Sequence, residues 1–343
     1  MTNNKLNIVV IGASLGMGVL HMQGVINKGA NLYAICDTAE EQLLTAKEKL
    51  SLGEGVKCVT DYRELVGDPN IDAAVIVTPD QYHLEQAVAF LRAGKDVLCE
   101  KPMALTMAEC EEMIHVEKET GRRLMIGQVC RCTPSFVMTK ELIDSGRIGE
   151  LVFVESEYAH DYSVARGYND WRVVPERHGF IGGGCHAVDL LRWIAGDPTE
   201  VYAHANHKIL TDWPVDDTVI AIYKFPNGVS GKVFVSIGCK RGYTMRSAFY
   251  GTRGTIICDN TSDHITLFEM DSEGKGYTEP KEVPVEVNNH NINKEIDVFV
   301  EALMSGTEMP VSSAQGAKTV AVCCSTVKSY QTGKVVNIEY PSV

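Results

Sequence analysis

The chain has 343 residues, 45% hydrophobic and 22% charged, which gives apolar material for two cores and an ordinary globular balance. A formal net charge of −13 without a long basic run argues against nucleic acid or an anionic membrane as partner. No apolar stretch reaches the roughly 18 residues of a membrane span and no signal-peptide core opens the chain, while the eleven cysteines contain no CxxC pair, so the expectation is a cytoplasmic protein with reduced thiols and no metal site.

Asn7-Ile8-Val9-Val10-Ile11 is a near-continuous apolar run, the pattern of a strand buried on both faces of a parallel sheet. It meets Gly12-Ala13-Ser14-Leu15-Gly16-Met17-Gly18 and then a helical segment. Glycines there let the backbone turn tightly and approach a pyrophosphate, whose charge would sit at the helix N-terminus. The loop departs from GxGxxG: Ser14 stands at the middle glycine, and the loop is one residue longer. The next strand, 32–36, ends at Asp37, about 20 residues beyond the loop, where an acid accepts hydrogen bonds from the adenosine ribose and repels a 2′-phosphate. No arginine follows; Thr38, Ala39, Glu40 and Glu41 do. A helix N-cap is the plainer role for Asp37.

Strand–helix alternation continues through a strand at 73–77, Thr78-Pro79, and a helix opened by His83. Asp96-Val97-Leu98-Cys99-Glu100-Lys101-Pro102 then reads as a buried strand that Pro102 must stop, leaving Glu100 and Lys101 at its carboxyl end. Open α/β sheets place ligands at such ends. A solvated Glu–Lys pair is the competing reading. A helix over 106–120 and a strand over 124–126 complete a doubly wound parallel sheet.

Beyond Gly127 the pattern changes. A helix at 135–145 leads to alternating strands at 151–158, 201–209, 218–225, 229–237, 245–250, 254–258 and 264–269, with hairpin signals such as Pro226-Asn227-Gly228. The expected second sheet is open and antiparallel, interrupted by a glycine run feeding a helix at 187–195, and two helices close the chain. One sheet face is expected against helices, and Val233, Val235 and Ile237 are expected on the other. That face, partly apolar, is expected to bury itself in a homodimer or dimer of dimers. The boundary is expected near Ile126, with a dinucleotide-binding domain over 1–126 and a substrate-binding and oligomerisation domain over 127–343.

Taken together, the 12–18 loop with His21, Asp37, Thr78-Pro79 with His83, Glu100-Lys101-Pro102, Gly127, Arg131, Trp171-Arg172, and Gly184-Cys185-His186 with Asp189 resemble the glucose–fructose oxidoreductase / inositol dehydrogenase (Gfo/Idh/MocA) family over essentially the whole chain. The resemblance implies a Rossmann domain, an open-sheet α+β domain, NAD as cofactor, and oxidation or reduction at a secondary carbinol of a sugar, glycoside or cyclitol. It implies Lys101 and His186 as the acid/base residues. It implies Gly12, Ser14, Leu15, Gly16, Met17, Gly18, Asp37, Thr78, Pro79, His83, Glu100, Lys101, Gln128, Trp171 and Arg172 as cofactor contacts. For substrate it implies Lys101, Arg131, Tyr158, His160, Trp171, His178 and His186. The family's aspartate four residues before the histidine is replaced by Gly182, which keeps open a non-catalytic NAD(P)-binding sensor of the same fold.

Chemistry supports this assignment in part. Removing a hydroxyl proton calls for a base within hydrogen-bond reach, and a lysine can serve once desolvation and a nearby positive charge lower its pKa. His186 can relay the proton or hold the hydroxyl; a helix-terminal histidine on a carbonyl is the plainer reading. Arg131 suits either a bidentate substrate contact or a structural ion pair. Trp171 suits either a sugar face or core packing. Glycine at 182 leads to the expectation of a roomier pocket and a substituted hexose as substrate.

Overall fold

The computed structural model describes residues 5–14 and 16–342. Two compact units emerge: one from the chain through Gln128, Ile292–Ala317 and Pro341 onward, the other from Val129–Asn291 and Lys318–Tyr340. The division is therefore not the linear 1–126 and 127–343 expected above, because a C-terminal helix returns to the first unit.

In the first unit, β1 (Asn7–Ile11), α1 (Met17–Lys28), β2 (Asn31–Cys36), α2 (Glu40–Lys49), β3 (Lys57–Val59), α3 (Arg63–Val66), β4 (Ala73–Ile76), α4 (His83–Arg92), β5 (Asp96–Glu100), α5 (Met107–Thr120) and β6 (Leu124–Gly127) follow in order. The sheet runs β3-β2-β1-β4-β5-β6, parallel throughout. This is the doubly wound Rossmann order, whose direction of winding reverses between β1 and β4. Strands β4 and β5 are buried along their whole length, as their apolar sequences require. Thr106 and Glu109 form a reciprocal capping box that starts α5.

The second unit holds α6 (Pro134–Asp144), β7 (Leu151–Ala159), α7 (Gly179–Gly182), α8 (Cys185–Ala195), β8 (Glu200–Asn206), β9 (Thr218–Lys224), β10 (Ser230–Ser236), β11 (Arg246–Gly251), β12 (Gly254–Asp259), β13 (His264–Glu269) and β14 (Lys281–Pro284). Helix α9 (Ile292–Ser305) belongs to the first unit and packs on α1. There Gly24 leaves the room that Ile296 fills, and Lys28 Nζ lies 2.6 Å from Glu301 Oε1. Helix α10 (Ser313–Thr332) gives its first turn to the first unit and the rest to the second, which β15 (Val336–Asn337) closes.

The second sheet is ordered β14-β13-β12-β11-β7-β10-β9-β8-β15. Its pairs are antiparallel, as expected of the open second sheet, except β7 with β10, which run parallel. The intervening chain, with α7, α8, β8 and β9, supplies the long crossover that parallel pairing needs. Val233, Val235 and Ile237 are buried under helices, Val235 against Gly184 and Ile237 against Gly179. This corrects the expectation that they line the face left for a second subunit, because α7 and α8 pack on β10. Tyr202, Ile220 and Ile222 lie exposed on the opposite face. Among the described residues no helix is long and apolar enough to cross a membrane.

Candidate active site

The loop after β1 is shaped by contacts that exclude side chains. Gly12 has φ of 86°, and a Cβ on it would lie 2.7 Å from the Val77 carbonyl. A Cβ on Gly18, in the first turn of α1, would lie 2.1 Å from the Gly12 carbonyl oxygen. Gly16 has open space around it but takes φ of 50°, a left-handed conformation that favours glycine. Backbone pressed this closely against the switch point leaves the cradle that a pyrophosphate fits, with the N-terminus of α1, opened by Met17, behind it. Leu15 lies outside the described residues.

Ser14 has a use that the missing glycine did not suggest. Its backbone N–H and its hydroxyl both donate to Asp37 Oδ2, at 3.1 and 2.6 Å, while Asp37 Oδ1 accepts from the Ala39 N–H at 3.1 Å. Asp37 is thereby aimed from the carboxyl end of β2 by three hydrogen bonds. The N-cap position of α2 falls to Ala39, not to Asp37.

After β4, Thr78 Oγ1 bonds the Gln86 amide oxygen at 2.7 Å, and Pro79 begins the short turn leading to α4. His83 and Glu100, expected to contact cofactor, are buried within the unit. The two ring nitrogens of His83 lie 2.8 Å from the Pro102 carbonyl and 3.0 Å from the Thr78 carbonyl, stapling the ends of β4 and β5 together. Glu100 Oε2 accepts from the Lys101 backbone N–H at 3.0 Å, and its Oε1 lies 3.2 Å from His21 Nε2. Lys101 is partly exposed just beyond that anchor. Gln128 is buried, its N–H on the Ile126 carbonyl at 2.8 Å.

In the second unit His186 sits in the first turn of α8, buried, with Nδ1 3.4 Å from Cys130 Sγ. Tyr158 stacks on its ring at 5.8 Å, and the Tyr158 hydroxyl meets Tyr162 at 2.9 Å and His160 Nδ1 at 3.4 Å. Burial drives the Tyr158 hydroxyl pKa well above its ordinary value, so it remains a neutral donor. Tyr243 and His290, which no local motif marks, extend this ring cluster.

Three further expected substrate contacts also have protein partners. Arg131 makes a bidentate pair with the fully buried Asp189, both bonds 2.8 Å. His178 Nδ1 lies 3.0 Å from the Tyr330 hydroxyl, and burial lowers its pKa. Trp171 has the guanidinium groups of Arg172 and Arg177 over its ring at 4.1 and 4.7 Å.

The roomier pocket expected beside Gly182 is not there. A Cβ on Gly182 would lie 2.3 Å from Cζ of Arg177, a buried side chain that occupies the freed volume. The position expected to carry an aspartate is thus beside a guanidinium instead, and a larger substrate does not follow from the glycine.

Two models of one family match the chain: residues 6–128 as "Oxidoreductase family, NAD-binding Rossmann fold", and residues 136–257 as the GFO/IDH/MocA C-terminal domain. Among curated proteins, the chain is similar to inositol 2-dehydrogenase 2 of Saccharopolyspora erythraea, 29% identical, covering 97% of this chain and 96% of that one. It is also 27% identical to myo-inositol 2-dehydrogenase of Thermotoga maritima, covering 97% and 99% of the two chains. A solved structure of levoglucosan dehydrogenase with NADH shares the fold, with TM-score 0.88 over 98% of this chain and 100% of that one, at 23% identity. Matched over both of its units, the chain belongs to the Gfo/Idh/MocA family and is an NAD-dependent oxidoreductase.

Proposed function

We propose that the protein moves hydride between a secondary carbinol of a sugar, glycoside or cyclitol and NAD, with Lys101 as acid/base and His186 as its partner. The observation that carries this reading is the strand end of β5, where Glu100 and His83 hold the backbone on either side of Lys101. NAD, when bound, supplies the hydride acceptor. Gly12, Ser14, Gly16, Met17, Gly18, Asp37, Thr78 and Pro79 would hold it. In the oxidative direction the Lys101 amine takes the hydroxyl proton as the carbonyl forms, and His186, backed by Tyr158, orients the hydroxyl. The names of the inositol-oxidising relatives support a polyhydroxylated ring as substrate. Arg131, held by Asp189, is better read as a brace for α8 than as a substrate contact. Arg177 beside Gly182 favours a second reading, a cofactor sensor without turnover. One assay separates the two: purified protein reduces NAD with at least one member of a panel of inositols, free sugars and glycosides, or with none.

The same reading sets the cofactor preference. Asp37 is expected to favour NAD over NADP at least about tenfold, the effect of roughly 1.4 kcal/mol of like-charge repulsion toward a 2′-phosphate. Calorimetry should show the gap narrowing in Asp37→Ala; equal affinities in the unaltered protein would refute the assignment. The protein is further proposed to be a homodimer or dimer of dimers in the cytoplasm, on the exposed Tyr202, Ile220 and Ile222 face and on eleven cysteines that are all free thiols. Light scattering at micromolar concentration should give at least a dimer, and Ile222→Arg should weaken it.

A further inference from the structure

Beneath Lys101 lies a cluster of charge that the proposed reaction does not itself use. His21 on α1, Glu100 at the end of β5 and Glu295 on α9 meet inside the unit, all three buried. His21 Nε2 is 3.2 Å from Glu100 Oε1 and 3.7 Å from Glu295 Oε2. Gly127 makes the room: a Cβ on it would lie 3.3 Å from both the Glu100 carboxyl carbon and Glu295 Oε1.

The hydrogen-bond partner of Nδ1 fixes one proton, and charge argues for a second. His21 Nδ1 lies 2.9 Å from the Met17 carbonyl, which only accepts, so Nδ1 carries a hydrogen. Nε2 then faces two carboxylates, and a bond to either needs a further proton between them. With the imidazolium and both carboxylates ionised, the buried cluster carries a net negative charge. A proton on Glu295 makes it neutral, which burial favours. Among the described residues, the titratable groups acting on Glu295 include His21 from α1, Glu100 from β5 and Lys101 beyond it, and Gly127 of β6 lies against it.

We propose that Glu295 and His21 are positioning residues for Lys101: with Glu100 they form a buried, proton-sharing clamp that fixes the end of β5 between α1 and α9 and sets the charge Lys101 experiences. This rests on the reading of Lys101 as the acid/base. Directions of titration agree with the geometry. Burial opposes the His21 charge, but hydrogen bonds and charge from Glu100 and Glu295 outweigh it and raise the pKa to about 10. Burial, followed by the Glu100 charge, raises Glu295 to about 7 against the opposing His21 bond. Above that pH Glu295 ionises, and its negative charge holds the proton on Lys101 more tightly.

The sign gives the test. Glu295→Gln keeps the shape but removes the charge. The lysine limb in the pH profile of kcat for alcohol oxidation should therefore fall by roughly half a unit to one unit, with NAD affinity within about threefold of the parent. A merely structural contact would lower kcat without moving the limb. Infrared difference spectra of the unaltered protein give a readout apart from activity: a protonated-carboxyl band present near about pH 6 and gone near about pH 9, and absent from Glu295→Gln. A superimposable pH profile, a missing band, or a divalent ion bound in stoichiometric amount and lost with Glu295→Gln would overturn the clamp. If Glu295→Gln does not fold, the infrared band in the unaltered protein decides alone. Failure of the underlying reading looks different, since turnover would then survive Lys101→Met.

Discussion

Lys101→Met is expected to lower turnover about a hundred- to ten-thousand-fold, the range that a positioned proton acceptor supplies. Methionine keeps the length and apolar stem of lysine but carries no proton. The backbone N–H at position 101 remains, so the bond to Glu100 Oε2 and the end of β5 are preserved. NAD affinity, followed by fluorescence titration, should change by less than about threefold, because the glycine loop and Asp37 are untouched. His186→Ala should cost less than Lys101→Met, since it removes an orienting group and leaves the base. A Lys101→Met protein with near-parental turnover would end the acid/base assignment, and a large loss of NAD affinity would make cofactor binding the main role of Lys101.

Asp189→Ala is expected to be the most damaging single change to the second unit. The Asp189 carboxylate is fully buried, accepts two hydrogen bonds from Arg131 and accepts a third from Thr319 Oγ1 at 2.9 Å. Thr319 is in turn held by Arg192 Nη1 at 2.7 Å. Removing the acid leaves the Arg131 guanidinium charged and largely shielded from water, at a cost of about 3–5 kcal/mol. For a unit of this size that lowers the unfolding midpoint on the order of 10 °C by calorimetry. The double change Arg131→Met with Asp189→Leu removes both charges together and should be less destabilised than Asp189→Ala alone. A loss below about 1 kcal/mol in Asp189→Ala would show that the pair is solvated and contributes as a surface ion pair.

Much of the cofactor-binding half was legible in the amino-acid order. Buried parallel strands write themselves as apolar runs, so β1, β4 and β5 stand out. Gly12 and Gly18 stand at positions where backbone contact leaves no room for a side chain. Asp37 and Lys101 are found by their spacing from strand ends. These signals are local, because a few successive residues determine the backbone geometry that they report. The tertiary structure alone decided what depends on residues far apart in the chain. It turned Ser14 into a support for Asp37, gave Arg131 to Asp189, and drew α9 back to α1. It paired β7 with β10 in parallel, a consequence of where the crossover lands. It filled the space above Gly182 with Arg177, which spacing had marked as empty. It also brought Glu295 to His21 and Glu100. No periodicity could mark that buried acid, since on α9 its neighbours make it one more face of an amphipathic helix; only packing against α1 and β5 takes it out of water and makes its proton matter.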